Sequence, residues 1–264
     1  MKFPKLYIYI GVASIIGAFL GGCASTKDPT EPYKKYTAQQ IFQQGEVSLA
    51  KGSYSTATKQ FEALDALYPF SDDAEQAELD LMYAYYQNDD VPSSAATADR
   101  FIRIYPRSPN VDYAYYMKGL ADFSQDRGWL QRFFPSDLSE RDPGTTTQSF
   151  ADFAQLVRFF PDSNYAADAH QHMIYLRNLF ASYELNVAQF YLNKHAYVAA
   201  ANRASSVLQR FDGSPQTERA LGIMVQSYRA LGLNTLADQS LQTLQLNFPN
   251  GPVLQSLQKN GKVA

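Results

Sequence analysis

Cysteine is almost absent from this 264-residue chain: Cys23 stands alone, which removes disulfides and cysteine-based metal sites from consideration. Histidine is scarce as well. Of the three, His170 and His172 are two residues apart, so on a helix they face different ways and cannot share a metal as an i, i+4 pair could. Both are expected on the solvated surface. No basic run exceeds Lys34-Lys35, and 23 Lys and Arg against 26 Asp and Glu leave no basic face for nucleic acid. Proteins or peptides fit better as partners. No phosphate-cradling loop occurs, because the one glycine cluster (Gly11, Gly17, Gly21, Gly22) lies in an apolar N-terminal segment. No stretch alternates apolar and polar residues long enough to suggest a sheet. Carboxylates are numerous but scattered, with no pair in an apolar context that would set one pKa against another, and no nucleophile and base stand at workable spacing. The chain is expected to be non-enzymatic, with no catalytic residue, no metal and no cofactor other than a covalent lipid.

The N-terminus suggests that lipid. Residues 1–22 open with Lys2 and Lys5, run apolar from Leu6 to Leu20 and contain no acid. Being short and ending in small residues, they read as a cleaved signal peptide rather than a membrane span. The end, Leu20-Gly21-Gly22-Cys23, resembles the lipobox of bacterial lipoproteins. That resemblance implies a diacylglyceryl group on the Cys23 thiol and, after cleavage, an acyl group on its new amino group. Each buried methylene is worth about 0.8 kcal/mol and two chains already anchor stably. Ala24 stands after the cysteine where inner-membrane lipoproteins of enteric bacteria tend to carry Asp, so the resemblance implies the outer membrane. Loss of the leader removes two lysines, leaving 21 basic residues against 26 acidic. Residues 23–37 are polar with two prolines and are expected to form a flexible tether, reaching at most about 45–50 Å.

What the chain has in quantity is aromatic residues, placed in a frame. Ahead of the anchors Pro69, Pro106, Pro161, Asp212 and Pro249 by one residue stand Tyr68, Tyr105, Phe160, Phe211 and Phe248. Ahead of the same anchors by twelve stand Ala57, Ser94, Ser149, Ala200 and Ala237, all small. The frame is laid out most fully in Gly45–Pro69. It resembles the tetratricopeptide (TPR) repeat, a helix pair of about 34 residues with a terminal proline. The anchors are 37, 55, 51 and 37 residues apart, so the middle of the array carries extra residues. The expected fold is all-α, a superhelical array of about five TPR helix pairs and about ten helices. Residues 38–123 form an N-terminal half and 149–250 a C-terminal half. Between them 124–148 breaks the repeat as an insertion loop carrying Trp129, Phe133 and Phe134, which either docks on the helices or contacts a partner. Asn164–Asn193 runs without Pro or Gly and supports one long helix, or two with a kink near Ser182. The tail, 251–264, is expected to fray.

In TPR arrays the first helix of each pair lines a concave groove, and the frame places Phe42, Leu79, Tyr83, Tyr86, Tyr113, Tyr116 and Phe123 there. Tyrosine suits a groove for variable peptides because it offers a rigid apolar body with a polar tip. The same rings serve equally well as packing between repeats.

Longer strings carry a more specific resemblance. FEALDALYPF, QAELDLMYAYY, ADRFIRIYP, NVDYAYYMKGL, FADFAQLVRFFP and YVAAANRASSVLQRF, after a lipobox, resemble the BamD family, lipoproteins of the complex that assembles β-barrels in the outer membrane. The resemblance covers nearly the whole mature chain. It implies a scaffold on the periplasmic face of the outer membrane. Its N-terminal repeats would contact unfolded outer-membrane barrel proteins through an aromatic-rich terminal segment, and its C-terminal repeats would grip the periplasmic domains of BamA. Tyr68 in the LYPF string falls at the substrate-side position with Phe70 beside it, and Arg203 in the AANRA string, next to Asn202, falls at the position engaging BamA and substrate. Arg203 precedes the packing position Ala204, so it can point away from the packed face and offer its fork to a partner carboxylate. The insertion and the tail match least, which leaves open the contacts of accessory Bam lipoproteins. The alternative is another repeat lipoprotein of the outer membrane, such as a pilus-assembly pilotin or a cell-wall adaptor, with no affinity for BamA.

Overall fold

The computed structural model describes residues 28–125 and 144–261. Cys23 with the leader before it, and Trp129, Phe133 and Phe134 of the insertion, lie outside the described residues. Among the described residues there is no strand. Eleven α-helices follow one another: α1 (Ala38–Ala50), α2 (Tyr54–Leu67), α3 (Ala74–Gln87), α4 (Val91–Ile104), α5 (Val111–Gln125), α6 (Gly144–Phe159), α7 (Ala166–Asn193), α8 (Tyr197–Arg210), α9 (Thr217–Ala230), α10 (Asn234–Asn247) and α11 (Pro252–Gly261). Each helix from α1 to α9 packs on the next in sequence, while α11 packs back on α9. Such nearest-neighbour packing is the mark of a stacked repeat array.

The frame has a physical basis at every anchor. The five small residues, Ala57, Ser94, Ser149, Ala200 and Ala237, are all buried where the two helices of a pair cross. Ser94 and Ser149 use the closeness to donate to the carbonyls of Met82 and Gly119 on the preceding helix, each at 2.9 Å. Gly45 and Gly119 give the same closeness to rings: a Cβ on Gly119 would lie 2.6 Å from Phe153 Cε1, and one on Gly45 would collide with Phe61. The five aromatics each donate their backbone N–H to the carbonyl four residues back, as Tyr68 does to Leu64 and Phe248 to Leu244. That bond closes the helix, and the Pro that follows in four of the five cases has no N–H to continue it. Four of the five connections then place a serine two residues after the anchor (Ser71, Ser108, Ser163, Ser214), whose N–H donates back to the aromatic's carbonyl.

The two long spacings have separate causes. Ser94 follows its acceptor Met82 by 12 residues, whereas Ser149 follows Gly119 by 30. The difference of 18 equals the excess of 55 over 37, so the insertion alone accounts for it. The excess of 51 over 37 is 14, and α7 is 28 residues long where most of the others have 14. It continues unbroken through Ser182, so one helix and not two spans this stretch. Its first half contributes Ala169 and Leu176 to a core with Phe153 and Leu156; its second contributes Ala181, Leu185 and Ala188 to a core with Ala200, Ala204 and Ile223.

Both ends depart from expectation. The tether is not free to residue 37: a 3-10 turn at Glu31–Tyr33 leads into Thr37, which forms a capping box with Gln40 at the start of α1. Tyr33 and Tyr36 pack on the first core because their rings bury apolar area there. The tail does not fray from 251 either. Pro252 opens α11, the Val253 N–H donates to Glu218 Oε1 at 2.9 Å, and Leu254 and Leu257 are buried against Leu221, Val225 and Leu244. α11 covers the apolar end of the stack, as a terminal element of a repeat array must.

Candidate binding surfaces

The expected groove residues divide into a cluster and a remainder. On α5, Tyr116 stacks on Tyr165 with ring centroids 4.8 Å apart and planes 19° from parallel, and Tyr113 meets the same ring at 5.5 Å. The Tyr116 hydroxyl donates to Asp168 Oδ2 at 2.6 Å. Burial, then this bond, pushes the Tyr116 phenol up, and burial does the same to Tyr113. Phe123, one turn beyond Leu120 on the same helix, meets His172 at 4.7 Å and Tyr175 at 5.7 Å, both edge-on. On α3, Tyr83 lies edge-on to Tyr54 at 6.3 Å and Tyr86 pairs its hydroxyl with Ser124 at 3.2 Å. Phe42 tilts against Phe61 at 6.1 Å on the first core. Leu79 does not belong to a surface: it is 4% exposed, in the core with Met82 and Phe101. α3 turns it inward while Tyr83 and Tyr86 stay half-buried.

The LYPF string separates just as sharply. Tyr68 is half-buried at the end of α2, and its hydroxyl donates to the Tyr36 carbonyl at 2.8 Å. It therefore ties the N-terminal arm to the first pair. Tyr68→Phe is expected to cost about 1 kcal/mol, the worth of one such bond, seen as a lower urea midpoint with unchanged helicity; an unaltered midpoint would deny the tie. Phe70, two residues on, is 98% exposed. In the other connections that position holds Arg107, Asp162, Gly213 and Asn250, so the frame has no structural use for a phenyl ring there.

Arg203 meets an internal carboxylate. Its Nη1 lies 2.7 Å from Glu184 Oε2 on α7, across the α7–α8 seam. This bond raises the guanidinium further above its ordinary value. Arg203 and the exposed Asn202 share an open cleft of about 360 Å³ with Glu184, Tyr191, Ala199, Ser206 and Arg210. Glu184 and Arg210 escape a reading of the sequence, since nothing in the local pattern pairs α7 with α8 at that register.

Two further expectations are corrected. His170 is exposed as expected, but His172 is half-buried: it stacks on the buried Phe153 ring at 4.9 Å, 9° from parallel, and its Nε2 is 3.3 Å from Asp168. Carboxylate pairs do exist in half-buried seams between helices. Asp80 on α3 faces Glu46 on α1, and burial followed by that neighbour pushes it up to about 7. Asp122 on α5 faces Asp152 on α6, and burial with the bond to Asp152 pushes it up to about 7. Lys118 lies between Asp99 at 2.9 Å and Asp152 at 3.1 Å beside this second pair. Each pair joins neighbouring helices. No group of three or more His, Cys, Asp or Glu placed to hold a metal ion occurs among the described residues.

Stacked helix pairs, a cluster of tyrosines and a cleft lined by two arginines define a helical-repeat scaffold. Among the described residues no helix is long and apolar enough to cross a membrane. The family model described as "Outer membrane lipoprotein" (YfiO) matches residues 34–244. The outer membrane protein assembly factor BamD of Vibrio cholerae is 37% identical over 232 residues, covering 87% of this chain and 94% of that protein. That of Neisseria meningitidis is 35% identical over 243 residues, 90% of this chain and 91% of that protein. The solved structure of PilW, a type IV pilus biogenesis factor, is similar at a TM-score of 0.37 and 16% identity, over 83% of this chain and 97% of that one. The chain belongs to the BamD family of outer membrane protein assembly factors.

Proposed function

We propose that this protein is the non-enzymatic scaffold lipoprotein of the β-barrel assembly complex, held on the periplasmic face of the outer membrane by acylated Cys23. In this proposal the C-terminal pairs grip the periplasmic domains of BamA at the cleft of Arg203 and Asn202. The N-terminal pairs take unfolded barrel proteins, with Phe70 and the inner tyrosines Tyr83, Tyr86, Tyr113 and Tyr116 as contacts, while Tyr68 acts by holding the arm. Accessory Bam lipoproteins complete the assembly. The observation that carries the proposal is the half-exposed Arg203 side chain in an open cleft, inside the segment that matches the family.

Pull-down of the tagged, full-length protein from detergent-solubilised membranes is expected to recover BamA. Arg203→Ala is expected to cut that recovery by roughly tenfold, the effect of truncating an anchoring arginine, with helicity unchanged by circular dichroism. Recovery of other envelope complexes without BamA would replace this function with that of a pilotin or cell-wall adaptor.

A further inference from the structure

Glu184 is 12% exposed in its side chain and sits between two arginines, bonded to Arg203 Nη1 at 2.7 Å through Oε2 and standing 4.0 Å from Arg210 Nη1 through Oε1. Two guanidiniums against one carboxylate leave the cleft with an excess positive charge. They also leave N–H donors in surplus, since a guanidinium has five and Glu184 engages Arg203 through Nη1 alone. Arg203 and Arg210 are 45% and 65% exposed in their side chains, so both can swing; Glu184, held in the seam, cannot leave. Withdrawing a cation from a mostly buried carboxylate is costly unless another replaces it.

We propose that Glu184 is an internal stand-in for a partner's carboxylate, and that docking is an exchange: Arg203 passes from Glu184 to the partner while Arg210 closes the remaining distance to Glu184. The inference rests on Arg203 being the partner-binding arginine. It assigns Glu184 a competing role and Arg210 a positioning role, neither touching the partner. Because Arg210 replaces Arg203 at Glu184, the mostly buried carboxylate is never left unpaired, and a bidentate partner carboxylate outcompetes the single bond.

The test is titration of the full chain with the recombinant periplasmic region of BamA. Glu184→Gln, which keeps size and removes the competing charge, is expected to tighten binding about three- to fivefold. Arg210→Gln is expected to weaken it by a similar factor, and to have no effect once Glu184→Gln is present. Equal loss in both backgrounds would mean that Arg210 touches the partner, and unchanged or weaker binding by Glu184→Gln would make the glutamate a mere support; either overturns the exchange. Phenylglyoxal labelling of Arg203, read by mass spectrometry without BamA, is a separate arm. It should run at least about threefold faster in Glu184→Gln, and an unchanged rate overturns the stand-in. Failure of the wild-type chain to bind BamA would instead refute the function proposed above, and the labelling arm would still decide the role of Glu184.

Discussion

Phe153→Ala is expected to lower stability by about 3–5 kcal/mol, the range for deleting a fully buried phenyl ring. The ring is 0% exposed, lies against the bare face of Gly119 and carries His172 stacked on it at 4.9 Å. It also stands at the join of α5, α6 and α7, in a core with Leu156, Ala169 and Leu176. Removing it leaves a cavity that the helices cannot close, because Ser149 already holds α5 and α6 together through the Gly119 carbonyl. Phe70→Ala serves as the control and is expected to change stability by less than about 0.5 kcal/mol, as exposed substitutions do. Urea titration followed by circular dichroism checks both. Equal effects would contradict the division of aromatics into frame and surface.

The protein is expected to be more stable at pH 5.5 than at pH 7.5. A carboxyl whose folded pKa exceeds its unfolded one binds more protons in the folded state, so stability falls as pH rises through the interval between the two values. For Asp80 and Asp122 that interval runs from 3.8 to about 7. Asp80 Oδ2 is buried with no hydrogen-bond partner while Glu46 faces it from α1, so a proton relieves both. Around Asp122 stand Asp152 and Asp99 as like charges and Lys118 as the opposing one. Neither group is fully buried, so each contributes about 1–2 kcal/mol after allowance for solvent screening. Asp122→Asn keeps a donor toward Asp152 without the charge. It is expected to raise the midpoint at pH 7.5 and flatten the dependence, with Asp80→Asn acting additively. Unfolding midpoints that rise between pH 5.5 and 7.5 would sink this account.

The frame was legible because it depends on local geometry. A small residue where helices cross, an aromatic closing the helix and a proline behind it each leave a mark at fixed spacing, and all five small residues are buried as that spacing demands. The surplus in the middle was legible too, the insertion as a break in the frame and the long helix as a run without Pro or Gly; only whether that run is one helix or two stayed open. α11 was missed because its only apolar signal is Val253, Leu254 and Leu257 in a polar stretch, and their burial depends on the end of the stack beneath them. The partners of His172, Asp80, Asp122 and Arg203 were missed for one reason. Apart from Asp168, which shares α7 with His172, each lies on a different helix at a register set by the superhelix, which no local pattern records.

The undivided length of α7 has a mechanical consequence. Asp168 receives the Tyr116 hydroxyl from the inner cluster, and Glu184 receives Arg203 from the cleft; both belong to this one helix. Sixteen residues of α-helix separate them by about 24 Å, with no joint between. The two surfaces are thus fittings on a single girder. A tilt imposed at one end displaces the other by leverage, and the spacing between whatever occupies them is a property of the backbone, untouched by the length or composition of the insertion.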